Sequence, residues 1–155
     1  MSQVEEKLRQ QGWEVPTPPA PVAAYVPGVR VGRMVYTSGQ LPFWRGELKY
    51  QGKLGEGVTV AEGYEAARLC ALNCLGVVKA LAGDLDRVER VVKVTGFVAS
   101  ASGFHDQPQV VNGASDLLVQ AFGEAGQHAR SAVGMAELPR GACCEVEMVV
   151  LLKEE

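Results

Sequence analysis

Residues 128–147 read HARSAVGMAELPRGACCEVE, and the rest of the chain can be placed around them. Arg130 stands at the mouth of an apolar strand, and Glu145 opens a second strand in which Val146, Met148, Val150 and Leu152 make one apolar face. Between the two, Leu138, Pro139, Arg140 and Gly141 have the chemistry of a turn, so the local reading is a terminal hairpin turning between Pro139 and Arg140. In that register, opposed residue numbers sum to about 279 and Glu145 faces Gly134, which sets it roughly 13 Å along the sheet from Arg130. An arginine's planar fork of donors suits a small carboxylate, and a glutamate at a strand start can take up a proton or position a water. The register keeps the pair from clasping one small molecule within a single chain. Two subunits meeting at a sheet edge could bring them together.

The opposite face of the last strand runs Glu145, Glu147, Val149, Leu151, starting polar and finishing apolar. Upstream, Val88 to Ser100 reads as a central strand, with Val92, Val94 and Val98 on one face and Lys93, Thr95 and Phe97 on the other. A helix follows from Asp106, with Pro108 in its first turn, an apolar stripe of Val110, Ala114, Leu117, Leu118 and Ala121, and Gly123 to close it. Asn112 lies on this helix off the stripe, where helix propensity does not favour it. An earlier helix opens on Thr59-Val60-Ala61-Glu62, a capping box, and carries apolar residues at Val60, Tyr64, Ala67, Ala71, Cys74, Val78 and Leu81 as far as Gly83. Both helices are spent on one face of the sheet. The apolar residues on the other face need a cover, and self-association supplies it.

Ahead of the helices lies a hairpin, Val22 to Arg30 and Met34 to Ser38, joined through Gly32-Arg33 in a type II′ turn. Tyr25 falls on its first strand, and Ser38-Gly39-Gln40 ends the second. Residues 41–58, with Phe43, Trp44, Arg45 and Tyr50, read as a glycine-rich loop with one short strand near Glu47 to Tyr50. Residues 1–20, charged and then proline-rich, read as an N-terminal arm before a single domain over 21–155. The predicted order is strand, strand, helix, strand, helix, strand, strand: an α+β fold with a mixed sheet and two helices on one face.

At 155 residues, 47% hydrophobic and 21% charged, the composition is that of one globular domain. A net charge of −3 and a pI near 5.5 give no basic footprint for nucleic acid, and no run approaches the ~18 apolar residues that cross a bilayer. The expected location is the cytoplasm. Cys70 and Cys74 share a helix face, but the adjacent Cys143 and Cys144 point to opposite sides of a strand and only His105 and His128 could complete a metal set. Buried reduced thiols are the better reading, with no metal.

Three segments together, TSGQLP at 37–42, HARSAVGMAELPRGA at 128–142 and EVEMVV at 145–150, resemble the RidA/YjgF family of reactive-intermediate deaminases, also called the endoribonuclease L-PSP family. The resemblance spans about 20 to 153. It implies a chorismate-mutase-like fold, assembled as a homotrimeric barrel with clefts between subunits. It implies hydrolysis, without a cofactor, of enamines and imines such as 2-aminoacrylate and 2-iminopropionate to 2-keto acids and ammonia. Carried over position by position, Arg130 resembles the arginine that grips the substrate carboxylate and Glu145 the acid that positions water. Tyr25, Ser38 and Gly39 match residues lining the cleft, and Asn112 an asparagine of the second helix. Two departures bear on the substrate: the usual Tyr-x-Gln is Tyr25-Val26-Pro27, and the usual proline pair before the arginine is Gln127-His128-Ala129. The alternative readings are a non-catalytic regulatory protein that binds small carboxylates and, against the acidic pI, an endoribonuclease.

Overall fold

The computed structural model describes residues 1–20 and 23–155. In chain order its elements are α1 (Gln3–Gln10), β1 (Gly28–Val31), β2 (Met34–Thr37), β3 (Phe43–Trp44), β4 (Glu47–Leu48), β5 (Lys53–Leu54), β6 (Gly57–Val58), α2 (Val60–Ala82), β7 (Val88–Ala99), α3 (Gln107–Phe122), β8 (Ala129–Met135) and β9 (Cys144–Leu152), with short 3₁₀ turns between some of them. Five strands form one sheet in the order β1-β2-β9-β7-β8, and β3–β4 and β5–β6 are two small ladders in the 41–58 loop. The fold is chorismate-mutase-like: a mixed sheet under helices, with β7 and β8 parallel and every other neighbour in the main sheet antiparallel.

The expected terminal hairpin does not form. β7 lies between β8 and β9 and pairs with both, Val94 facing Arg130 on one side and Met148 on the other. Local turn chemistry correctly marks the reversal of the chain at Leu138 to Gly141. It carries no sign that the reversal takes the chain across the end of β7, where Ala99 donates to the Cys143 carbonyl and Ser100 to that of Met135 (2.9 Å each). Arg140 takes φ 59° in that crossing, a conformation costly for a residue with a Cβ.

The first strand is also shorter than expected. Its expected start at Val22 lies outside the described residues; pairing begins at Gly28, and Tyr25 sits in a bend before it, 65% exposed. The turn through Gly32 (φ 60°) joins Val31 to Met34 as the glycine-first spacing requires. In β7 the buried face runs Val91, Val94, Val98, not Val92, because a bulge between Val91 and Lys93 shifts the alternation by one.

Both predicted stripes are buried against the sheet, Ala67, Ala71, Cys74 and Val78 from α2, and Val110, Ala114, Leu117, Leu118 and Ala121 from α3. Thr59 and Glu62 make both bonds of the capping box, whereas Asp106 precedes α3 without a side-chain cap bond. The two helices touch closely at Gly113, where an added Cβ would collide with the Tyr64 carbonyl of α2. A third helix joins them. α1 is capped by Ser2 and by the Asp86 carboxylate, which accepts from the backbone of Gln3 and Val4 at 2.8 and 3.1 Å, and its Val4 and Leu8 enter the core. Trp13 then meets Trp44 edge to face, with Arg68 over its ring, and the Pro16 carbonyl rests on Gly76. No helix among the described residues is long and apolar enough to cross a membrane.

The helix-free face remains open. Val29 (47% exposed), Val31 (65%), Tyr36 (43%) and Val133 (40%) lie on it with Glu145 and Glu147.

Candidate functional site

Alternation along a strand assigns each predicted side chain to a face, and the assignments divide the site in two. Arg130 shares its cross-strand row with the buried Val94 and Met148, so it belongs to the helix face. Glu145 shares its row with Phe97 and Val133 on the open face. Three residues along and two strands across separate them, roughly 14 Å at standard spacings. The hairpin register predicts separation for a different reason; the sheet achieves it with β7 in between and by pointing the two residues to opposite sides.

The first cluster is built by α3 and β8. Asn112 and Ser115, three apart on α3, present one face to Arg130, whose Nη1 donates to Asn112 Oδ1 at 2.8 Å and to Ser115 Oγ at 3.1 Å. Its Nη2 reaches the Pro108 carbonyl only at 3.5 Å. Every one of these acceptors is neutral, and Arg130 has no carboxylate partner among the described residues. His128 stands behind Ser115, with Nε2 at 2.9 Å from Ser115 Oγ and Nδ1 at 2.6 Å from the Gly126 carbonyl. A half-buried guanidinium oriented by neutral groups is suited to an incoming anion.

The second cluster gathers four of the predicted residues. Ser38 Oγ donates to the Val26 carbonyl at 2.6 Å and its backbone N–H to Pro27 at 2.7 Å, which fastens the bend holding Tyr25 to the end of β2. Gly39 lies against Glu145 so closely that any Cβ there would strike the carboxylate. Gln40 pairs with Val146 on the next strand, holding that approach in register. Burial raises the Glu145 carboxyl above the ordinary range, and the charge of Glu147 adds to the rise. Nothing among the described residues bonds the Glu145 carboxylate, so it is available to a water or a ligand.

Sequence reasoning finds Arg130, Asn112, Tyr25, Ser38, Gly39 and Glu145 but not Ser115, and it considers His128 only as a metal ligand. A signal for both is present: Ser115 is one turn from Asn112, and His128 precedes Arg130 by two. Trp44 packs edge to face on Trp13 of the N-terminal segment, and Arg45 stacks on Trp44. The loop they open is fastened by Asn73, which donates to the Leu41 and Phe43 carbonyls at 3.0 and 2.9 Å.

The four cysteines are buried free thiols under the second cluster. Cys74 Sγ donates to the Val146 carbonyl at 3.3 Å, and Cys70 Sγ lies 3.6 Å from Cys144 Sγ, so they fix α2 onto β9. Burial pushes the Cys74 thiol up to about 12 and raises Cys70 as well, which leaves both protonated and unreactive. No group of three metal-ligating side chains occurs among the described residues.

The family model described as "YjgF/chorismate_mutase-like, putative endoribonuclease" matches residues 5–152. The chain is 47% identical over 150 residues to Protein TCP17 of Trypanosoma cruzi, covering 96% of this chain and 94% of that one. It is 32% identical over 138 residues to a 2-iminobutanoate/2-iminopropanoate deaminase of Dermatophagoides farinae, covering 89% and 93%. A crystallised protein from Agrobacterium tumefaciens superposes with a TM-score of 0.91 at 44% identity, covering 97% of this chain and 92% of that one.

Proposed function

This chain belongs to the YjgF/chorismate-mutase-like family, and from that premise we propose that it hydrolyses small enamine or imine acids to 2-keto acids and ammonia. The observation that carries the reading is Arg130: a half-buried guanidinium held by Asn112 and Ser115, with no carboxylate among the described residues to neutralise it. A substrate carboxylate of the imino-acid type complements that charge. The relative named as a 2-iminobutanoate/2-iminopropanoate deaminase supports the same chemistry.

An imine carbon is already electrophilic, so the protein's work is to hold the carboxylate and supply a polarised water. Glu145 takes a proton from the attacking water as the C–O bond forms and the C=N electron pair moves to nitrogen. Returned to the amine, that proton makes ammonia the leaving group, and as the C–N bond breaks the Glu145 carboxylate takes the hydroxyl proton of the carbinolamine, leaving the keto acid. For an enamine, the protonated Glu145 carboxyl first delivers its proton to the terminal carbon, giving the imine. A carboxyl raised by burial holds a larger protonated fraction near neutral pH than an ordinary glutamate and can serve both steps.

Because Arg130 and Glu145 lie on opposite faces of one sheet, the complete site takes Arg130 from one subunit and Glu145, with Tyr25, Ser38 and Gly39, from its neighbour in a homotrimer. The exposed Val29, Val31, Tyr36 and Val133 supply the apolar surface for that assembly. The test couples the purified protein to a threonine dehydratase and its substrate. Faster appearance of 2-oxobutyrate, lost in Arg130→Ala, is the expected result; no acceleration for any imino acid supplied in this way would refute it. A non-catalytic carboxylate binder is the second reading, favoured by the fact that the arginine cluster is complete within one chain, and keto-acid binding without turnover would select it.

A further inference from the structure

The hydrogen bonds around Arg130 run in one direction, and they leave one edge of the guanidinium open. The Gly126 carbonyl can only accept, so His128 Nδ1 carries a proton and donates to it at 2.6 Å. In the neutral ring Nε2 is then an acceptor and takes the Ser115 hydroxyl proton at 2.9 Å. With its hydrogen committed to His128, Ser115 Oγ meets Arg130 with lone pairs, and Nη1 donates to it at 3.1 Å while its second hydrogen goes to Asn112 at 2.8 Å. Both Nη1 hydrogens are therefore spent on the protein. Nη2 has one long contact, to Pro108 at 3.5 Å, and Nε has no partner among the described residues. The unspent hydrogens, on Nε and Nη2, are parallel on one edge of the planar group, the arrangement that takes both oxygens of a carboxylate at once.

We propose that Ser115 and His128 are positioning residues that hold Arg130 by its Nη1 corner and so present the Nε–Nη2 edge to the substrate carboxylate. This rests on the carboxylate-binding role of Arg130. It adds the mode of binding, side-on and bidentate, and two residues that never touch the substrate. Where the RidA/YjgF pattern has a proline pair ahead of the arginine, this chain has Gln127-His128-Ala129, and the imidazole there makes the hydroxyl of Ser115 an oriented acceptor. Specificity follows from the geometry: a planar two-oxygen acid uses both open donors, and the corresponding amide uses one.

The test is calorimetric titration of the full-length protein with 2-oxobutyrate and with 2-oxobutanamide, beside KM and kcat in the coupled assay. Ser115→Ala and His128→Leu are expected to weaken 2-oxobutyrate binding and raise KM by about 3- to 10-fold, the worth of one hydrogen bond, with kcat within about twofold. Amide binding should change little. Ser115→Thr keeps the hydroxyl and His128→Gln keeps an acceptor near Nε2, and both should restore the affinity. A nitrogen-15 NMR spectrum of the histidines should show His128 protonated at Nδ1 and not at Nε2. If Arg130→Ala loses 2-oxobutyrate while Ser115→Ala and His128→Leu bind it as wild type does, the positioning role is overturned and the arginine's role stands. The positioning role is equally overturned if Ser115→Thr and His128→Gln fail to rescue, or if the neutral ring is protonated at Nε2. If Arg130→Ala itself binds like wild type, or wild type binds no keto acid, both proposals fall.

Discussion

On the helix side of the sheet, Val94, Val98, Val146, Met148 and Val150 are sealed beneath α2 and α3; on the other side, Val29, Val31, Tyr36 and Val133 face outward beside two carboxylates. The closed face is finished within one chain, down to Gly113, where the helices approach too closely for a side chain. The open face is unfinished in the same chain, and the two candidate clusters divide along this line. Arg130 is oriented by α3 on the closed side, and Glu145 by Gly39 and Gln40 on the open side. Folding one subunit satisfies the first cluster. It leaves the second with a half-buried carboxylate that nothing among the described residues neutralises.

Changes on each face should separate chemistry, stability and assembly. The largest expected effect is on turnover: Glu145→Gln should lower kcat by about 10³-fold while keto-acid affinity, measured by calorimetry, survives. In wild type the acid limb of the pH–rate profile should lie above the ordinary carboxylate range, because burial raises Glu145, and the substitution should remove that limb. The linkage runs the same way. A carboxyl raised in the folded state contributes its stability below the unfolded value and loses it as pH rises through the folded one, so Glu145→Gln should flatten that decline in denaturant titrations. Next comes the closed face: Gly113→Val forces α2 and α3 apart against backbone and should cost about 3 kcal/mol in urea unfolding, with the open face untouched. Arg130→Ala should follow, reducing 2-oxobutyrate affinity by about 30-fold, the loss of a charge-assisted pair, with little change in stability. The smallest effect on the fold belongs to Val133→Asp on the open face, within about 0.5 kcal/mol by unfolding of the monomer, yet sedimentation should show the assembly falling apart. Val133→Asp remaining oligomeric would break the comparison between the faces.

The division is legible in the sequence to an uneven degree. Residues whose partners lie within a turn or two are readable: the Thr59–Glu62 capping box, the α2 and α3 stripes, and the Gly32-Arg33 turn all depend on spacing alone. The open face is readable from Val149 and Leu151 once both helices are assigned elsewhere. The strand order is not. Leu138-Pro139-Arg140-Gly141 specifies a reversal, but whether the returning strand joins the one it left or crosses β7 to the far side is decided by long-range packing that no local signal carries. The Arg130 cluster is half visible for the same reason. Asn112 and Arg130 come from a motif, while Ser115 and His128 matter through bonds across two elements, and their types alone read as ordinary polar surface. The bulge at Val91–Lys93 likewise moves a buried valine by one position without any glycine or proline to mark it.

The division of the site between subunits is tested most directly by mixing two impaired proteins. Arg130→Ala and Glu145→Gln, each retaining no more than about 3% of wild-type activity at substrate below KM, are unfolded together at equal concentration, refolded, and assayed for imine hydrolysis. If each site draws Arg130 from one subunit and Glu145 from its neighbour, random assembly leaves about one site in four with both native residues, and about a quarter of wild-type activity should return. Activity no higher than that of either parent, from a mixture shown by mass to be fully hybrid, would mean that both residues serve the same site from the same chain.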